Sequence, residues 1–295
     1  MNILAKNYIK ELYQGGEMLQ AAKKFMSMKV RATDGECGHI RDIYFDDDQW
    51  TLRYFLLDTG KWLPGKMVLI SPLAVVDIDF KNKILDVNLS RVQIENGPNP
   101  SEHMPISRQL AARHSAYYDY PFYWPGSGIW PELGYDLAYY ANFKNRVTTD
   151  SENSQIKNEI KNEDQHLRTV KEIKSYLLEA TDGLFGHVED FVIDDDTWEL
   201  RYLVVDTINW WPSKSVILST QWVRDIVWSE SKIVLDLSKE KIKNSPAYSE
   251  ENLDRDYEIN LYDYYQEPKY WQYEKKTMTE NDKYLKSEHV KGTRR

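Results

Sequence analysis

One stretch of the amino-acid sequence occurs twice in the chain. It reads ATDGECGHIRDIYFDDDQWTLRYFLLDT from Ala32 and ATDGLFGHVEDFVIDDDTWELRYLVVDT from Ala180, 148 residues later. The copies align without a gap and keep a Gly-His pair, a run of three Asp and a Trp. Similarity of this extent at one fixed spacing indicates an internal duplication, so the chain must fold one structural unit twice.

The length of 295 residues leaves room for two domains of ordinary size, each with its own core. We predict a first unit with a C-terminal helix at 19–125, a loop and flexible linker at 126–166, a second unit with a C-terminal helix at 167–271, and a polar tail at 272–295. Residues 144–166 contain no Phe, Trp or Tyr and lack a core-forming pattern, which is typical of a flexible linker. Apolar residues at three-residue spacing predict a short helical turn before each copy: Leu19, Ala22, Phe25 and Met28, and Leu167, Val170, Ile173 and Tyr176.

Within each copy, apolar stretches alternate with turn residues. Asp34-Gly35 and Asp182-Gly183 are dipeptides that favour tight hairpins. The three-Asp runs lie between two apolar stretches, where Asp favours a turn by bonding its own backbone. The 21 Tyr and 10 Trp residues also suit pleated surfaces, so we predict a mainly β fold.

The segment LRYLVVD, from Leu200 to Asp206, is apolar on both faces of a strand, so both faces must be covered. A helix downstream can supply one cover. Its apolar stripe would begin after Asp254 as N-cap and stop before Pro268. The stripe residues are Tyr257, Leu261, Tyr264 and Tyr265, with Leu110, His114, Tyr117 and Tyr118 in copy one. Such a helix could lie on its own unit or on the neighbouring one.

The motifs ATDGxxGHxxD, DDDxWxLRYxxxDT, WxPxKxV and PxYW resemble those of the PRC-barrel family, named for the cytoplasmic domain of the photosynthetic reaction-centre H subunit. The likeness covers both units. It implies two tandem small antiparallel PRC-type β-barrels with short flanking helices. One relative influences electron and proton transfer and another is a ribosome-maturation factor that contacts a ribosomal protein. This sequence shows neither the transmembrane helix of the first nor the N-terminal domain of the second, so neither function transfers.

His39 and His187 are the first candidate functional residues, since an imidazole beside a carboxylate can move protons near neutral pH. Asp42 and Asp190 follow three residues later. Uninterrupted strand alternation puts such positions on opposite faces, so we expect no local pair. The structural alternative is a His bonded to backbone or to a carboxylate of the adjacent strand.

Other polar residues have structural interpretations as well. Asp58 and Asp206 close the apolar strand and could accept N–H bonds from the WxP loop, with a shifted pKa if buried. The three-Asp runs lack the alternating acids, Gly and final Glu of a calcium loop, so we expect solvated turns and no metal site. Cys37 is the only Cys and no nucleotide-binding or hydrolase motif occurs, so we expect no disulfide, no cofactor and no catalytic residue.

Several Trp residues could form an interaction surface, because Trp and Tyr are enriched where proteins meet. The alternative is that their side chains are buried at the ends of the barrels or in the contact between the units. The candidate interaction or ligand surface comprises His39, His187, Asp58, Asp206, Trp62, Trp210, Trp211 and Trp222.

The charge of −9 and pI near 5.3 disfavour nucleic acid as a partner. No apolar run is long enough to cross a bilayer, the N-terminus does not resemble a signal peptide, and one Cys suits a reducing compartment; we expect a cytoplasmic protein.

Our leading hypothesis is a non-enzymatic module that binds an unknown protein partner or an assembly. The alternative is a small-molecule or metal-responsive module with a site between the barrels, and an enzyme ranks third. We also expect the two barrels to pair within the chain about a pseudo-twofold axis.

Overall fold

The structure is a computed structural model, and it describes residues 19–98, 100, 106, 108–120, 167–207 and 214–272. The predicted loop and linker at 126–166 lie outside the described residues, as does the tail beyond Gln272. The bounds predicted for those segments therefore stay predictions.

Each copy of the repeat forms a β-sheet with the same strand order. The strands of sheet one are β2 (Lys29–Ala32), β3 (Gly35–Asp46), β4 (Thr51–Asp58), β5 (Met67–Ile70), β6 (Val75–Asp79) and β7 (Ile84–Val87). Those of sheet two are β9 (Leu177–Ala180), β10 (Gly183–Asp194), β11 (Leu200–Asp206), β12 (Ser215–Ser219), β13 (Val223–Val227) and β14 (Lys232–Leu235). Sheet one runs in the order β5-β4-β3-β2-β7-β6, and sheet two runs in the matching order β12-β11-β10-β9-β14-β13. The prediction of a mainly β fold is confirmed.

The sheets are mixed rather than wholly antiparallel. β2 pairs with β7 in parallel, and β9 pairs with β14 in parallel, while the other pairs are antiparallel. The parallel pair arises because β7 returns from the β6–β7 hairpin to lie beside the first strand of its own sheet. Among the described residues the hydrogen-bonded order ends at β5 and β6, and these two strands are not paired with each other.

A seventh strand comes to each sheet from the opposite unit. β1 (Leu19–Ala21) pairs with β10 of sheet two, and β8 (Leu167–Thr169) pairs with β3 of sheet one. Each is followed by one helical turn, α1 (Ala22–Phe25) or α4 (Val170–Ile173). We call residues 19–25 and 167–173 the lead segments. Their short helical turns were predicted, but their exchange between the units was not.

Within the described segments, four further α-helices accompany the sheets: α2 (Arg91–Asn96), α3 (Arg108–Tyr118), α5 (Lys239–Lys243) and α6 (Arg255–Tyr265). The predicted N-cap of α6 is confirmed, since the Asp254 side chain accepts a hydrogen bond from Tyr257 N at 2.8 Å. The helix ends at Tyr265, and Gln266 takes a left-handed conformation with φ 60°. Both ends therefore follow the local sequence signals.

The two long C-terminal helices lie on the sheets of their own units. Tyr262 of α6 packs on Tyr202 of β11, and His114 of α3 packs edge-on against Tyr54 of β4. The predicted stripe is wrong at Tyr117, which is 44% exposed. Each helix therefore covers a central strand of its own unit and not of the neighbouring one, which were the two possibilities left open by the sequence.

Central strand β11 is buried from Leu200 to Val205, as its two apolar faces predicted. Apolar residues of both units belong to one continuous core. Among the described residues, no helix is both long enough and apolar enough to cross a membrane.

Candidate functional site

The two DDDxW turns meet at the contact between the units, which we call the seam. Leu52 N donates to Trp198 O at 2.8 Å, and Leu200 N donates to Trp50 O at 2.6 Å. Thr51 and Glu199 form an isolated antiparallel bridge between these bonds. The repeated turns therefore join the two units through their backbones.

Aromatic rings reinforce the seam. Trp198 of unit two packs edge-on against Phe55 of unit one at a centroid distance of 5.6 Å. Trp50 of unit one lies 6.3 Å from Phe191 of unit two and stacks on Phe45 at 5.5 Å. Each Trp therefore packs against a Phe of the other unit, so the repeated DDDxW motif contributes to the contact between the units.

The first Asp of each run builds the turn and is not solvated. Asp46 Oδ1 accepts from the backbone N–H groups of Asp48 and Gln49, and Asp194 Oδ1 accepts in the same way from Asp196 and Thr197. Asp46 and Asp194 are only 7% and 1% exposed. The prediction of a fully solvated turn is therefore wrong at these two positions.

A buried arginine faces each of these aspartates. Arg201 contacts Asp194 Oδ2 at 3.2 Å and also pairs with Glu199, while Arg53 lies 3.5 Å from Asp46 Oδ2. Sequence reasoning missed both arginines. The available signal was a charged residue inside the apolar LRY segment, where burial requires a partner. In the described part of the chain, no group of three or more His, Cys, Asp and Glu residues could hold a metal ion.

Asp42 and Asp190 hold the exchanged lead segments. Asp190 Oδ2 accepts from Lys23 N at 3.2 Å, and Asp42 Oδ1 accepts from Lys171 N at 3.3 Å. Both N–H groups lie in the first turn of a helix that comes from the other unit. Burial raises the pKa of both carboxyl groups above the ordinary Asp value. The Asp of the GHxxD motif therefore contacts the opposite unit in both copies.

The candidate His residues lie directly opposite the candidate Asp residues in the sheet register. His39 pairs with Asp58 and His187 pairs with Asp206. Both His residues are half-buried, and no hydrogen bond joins either His side chain to its opposite Asp among the described contacts. The structure thus brings these predicted residues side by side on adjacent strands.

A β-bulge changes the face on which Asp42 lies. The β3–β4 register shifts between Ile40 and Asp42, so His39 and Asp42 pair with Asp58 and Leu56, two residues apart on β4. His39 and Asp42 therefore lie on the same face of β3, contrary to the expectation from uninterrupted strand alternation. The same shift occurs in β10.

The Gly before each His permits close approach of two strands. A Cβ on Gly38 would lie 2.3 Å from Asp58 O, and one on Gly186 would lie 2.5 Å from Asp206 O. The Gly of each Gly-His pair is thus required by the packing of β3 on β4 and of β10 on β11. Asp58 itself accepts from Gly60 N at 2.9 Å, and this donor precedes the WxP loop that begins at Trp62.

Of the four candidate Trp residues, Trp62 and Trp222 lie in the described part of the chain, where they pack in different units. Trp62 is half-buried under the Arg91 guanidinium, whose carbon lies 4.7 Å from the ring centroid. Trp222 packs on Tyr262 and Tyr265 of α6 at 5.4 and 4.4 Å. Trp210 and Trp211 lie outside the described residues.

A cavity of about 300 Å³ opens at the seam. Unit one contributes Gln49 and Trp50, and unit two contributes Arg201, Tyr262 and Tyr270. Both aromatic and charged side chains therefore line a space that exists only where the units meet.

Behind this cavity lies a buried carboxylate that the sequence analysis missed. Glu258 is 1% exposed, and it accepts hydrogen bonds from Tyr202 Oη at 2.6 Å and Tyr270 Oη at 2.9 Å. Arg255 pairs with it at 2.8 Å. Burial raises the pKa of Glu258 although all three partners favour its charged form. Copy one has Ala111 at the matching position in the helix alignment, so this network belongs to unit two alone.

Comparison of the chain with models of known protein families gave no match. Comparison with curated proteins likewise gave no match.

Proposed function

We propose that the chain is a non-enzymatic tandem PRC-barrel protein that acts as a protein-interaction or assembly module. The repeated motifs and the identical strand order of the two sheets support two PRC-type barrels. The exchanged lead segments and the joined DDDxW turns support their pairing about a pseudo-twofold axis within one chain. Such a pair would present a single rigid surface to a partner.

One difference between the copies carries the interaction proposal. In unit one, Lys29 and Glu36 lie on adjacent strands and form an exposed salt bridge of 3.2 Å. The matching residues of unit two are Leu177 and Leu184, which are 45% and 51% exposed. An apolar pair that replaces a salt bridge on the same strand surface is typical of a contact site for another protein.

The structure offers a matched variant for the test. Leu177→Lys with Leu184→Glu would give unit two the residues that unit one already holds in the same geometry, so we expect the fold to persist. Affinity capture from the source cells, followed by reconstitution with the purified partner, should show binding to the wild-type protein and about tenfold weaker binding to the variant. The control is Lys29→Leu with Glu36→Leu, which leaves the unit-two pair intact. Equal partner binding by all three proteins would contradict the proposal.

A second candidate function is a small-molecule binding module, which the seam cavity favours. Its 300 Å³ volume lies at the lower end of the range for ligand pockets. Native mass spectrometry of the purified full chain should then show a retained molecule, and Gln221→Trp at the cavity lining should abolish it. Retention of the same molecule by that variant would place the ligand elsewhere.

A further inference from the structure

A second, smaller cavity lies where lead segment one meets unit two. Its volume is about 170 Å³, and its polar lining includes Lys23, Glu189, Asp190, Ser215, Tyr248 and Glu250. The cavity is thus bounded by the exchanged helical turn on one side and by the loop after α5 on the other.

Two buried oxygens at this cavity lack a hydrogen-bond partner within the described chain. They are Asp190 Oδ1 and Tyr248 Oη. Asp190 is 4% exposed, and the nearest cation to its Oδ1, Lys174 Nζ, lies at 3.8 Å, which is too far for a hydrogen bond. An unsatisfied buried oxygen destabilises a fold, so two at one cavity indicate a donor that fills the space.

The charge around the cavity favours a cationic donor. Three carboxyl groups line it, from Glu189, Asp190 and Glu250, whereas Lys23 is the one cation among the lining residues. Lys23 is already paired with Glu250, and Lys24 lies 3.8 Å from the same carboxylate. Asp190 is paired with Lys174, whose Nζ lies 3.8 Å away, so among the described contacts Glu189 is the lining carboxylate that has no lysine in an ion pair.

Unit one does not reproduce this arrangement. Arg41, Met67 and Pro100 occupy the positions that match Glu189, Ser215 and Tyr248. The Asp42 oxygen that accepts from Lys171 N corresponds to the Asp190 oxygen that accepts from Lys23 N, so this carboxylate is common to both units. The phenol of Tyr248 and the acidic side chain of Glu189 are features of unit two and not requirements of the fold.

We propose that this cavity binds a primary ammonium group. An ammonium supplies three N–H donors, which match Asp190 Oδ1, Tyr248 Oη and the Glu189 carboxylate. A cavity of about 150 Å³ accepts a molecule as large as benzene, so 170 Å³ accommodates an ammonium on a short alkyl chain. This inference is independent of the interaction proposed for Leu177 and Leu184.

Calorimetric titration of the full chain with n-butylammonium chloride tests the proposal. Tetramethylammonium chloride at equal ionic strength serves as the ligand control, because it has the charge and no N–H donor. We expect heat of binding from butylammonium only. Glu189→Arg, which copies Arg41 of unit one, should abolish it, and Tyr248→Phe should weaken it about tenfold.

Glu36→Arg provides the matched protein control, since it makes the same charge change on the exposed surface of unit one. It should leave the affinity within about twofold of the wild type. Without ligand, Tyr248→Phe should melt at or above the wild-type temperature, because it removes an unsatisfied hydroxyl.

The same titration with a lysine blocked at both backbone ends identifies the source of the ammonium. Binding of the blocked lysine would assign the site to a lysine side chain of a partner protein, and its exclusion would assign the site to a free amine. Absence of butylammonium binding to the wild type, or equal binding by Glu189→Arg, would overturn the proposal.

Discussion

Asp190 accepts a hydrogen bond from the backbone N–H of Lys23 at 3.2 Å, although 167 residues separate them along the chain. Asp42 makes the equivalent bond to Lys171 at 3.3 Å. Each Asp thus accepts a hydrogen bond from a first-turn N–H of a helical turn that belongs to the other unit. This reciprocal contact explains the Asp of the duplicated GHxxD motif.

Asp190→Ala should loosen lead segment one. Loss of a side-chain acceptor for a first-turn N–H costs about 0.5–2 kcal/mol by analogy with an N-cap, and the effect should be local to residues 19–25. Hydrogen exchange would show faster exchange at the Lys23 amide, with the Lys171 amide unchanged. Asp42→Ala should give faster exchange at the Lys171 amide, with the Lys23 amide unchanged. Equal acceleration at both amides in either variant would contradict separate caps.

The same carboxylates should make stability depend on pH. Burial raises the native pKa of Asp42 and Asp190, so the folded protein binds their protons more tightly than the unfolded chain does. Their charged forms therefore lower stability above the native pKa, and this loss is relieved as the pH falls towards the unfolded value. The double variant Asp42→Asn, Asp190→Asn should exceed the wild type in unfolding free energy at pH 7, and the difference should shrink near pH 4. Urea unfolding at both pH values measures this; a pH-independent difference would contradict it.

Trp198→Ala should destabilise the protein more than Trp50→Ala. Trp198 is 7% exposed and packs on Phe25 and Phe55, whereas Trp50 is half-buried. Truncation of a buried Trp costs about 3–5 kcal/mol, and the cost for Trp50 should be smaller. Denaturant unfolding followed separately in each unit should show that Trp198→Ala weakens unit one as well as unit two. An effect confined to unit two would contradict a shared seam.

Glu258 offers a test of the buried network in unit two. Glu258→Ala leaves the Tyr202 and Tyr270 hydroxyls without their acceptor, and each buried unsatisfied hydroxyl costs about 1–3 kcal/mol. Adding Tyr202→Phe and Tyr270→Phe should recover part of that loss, because the unsatisfied groups are removed together. A triple variant less stable than Glu258→Ala would show that the tyrosine hydroxyls have other partners.

The sequence analysis located what local patterns determine. The apolar alternation predicted β11, and Asp254 predicted the start of α6, because both depend on neighbouring residues. The exchange of β1 and β8 was missed, because a three-residue strand carries no information about which sheet it joins. The bulge beside Asp42 also has no signal in the apolar pattern, so the face of that side chain was predicted incorrectly. Glu258 was missed because its partners, Tyr202 and Tyr270, are distant in sequence.

The central claim is that the two units pair as one body through their exchanged lead segments and the seam. A site-specific protease sequence inserted after Lys157, within the predicted linker, allows the full chain to be folded and then cut. Native mass spectrometry of the cut protein measures whether the halves stay together. We predict one species with the combined mass of both halves, and its separation into halves when Asp42→Ala, Asp190→Ala and Trp198→Ala are combined. Free halves from the cut wild-type protein would contradict the account.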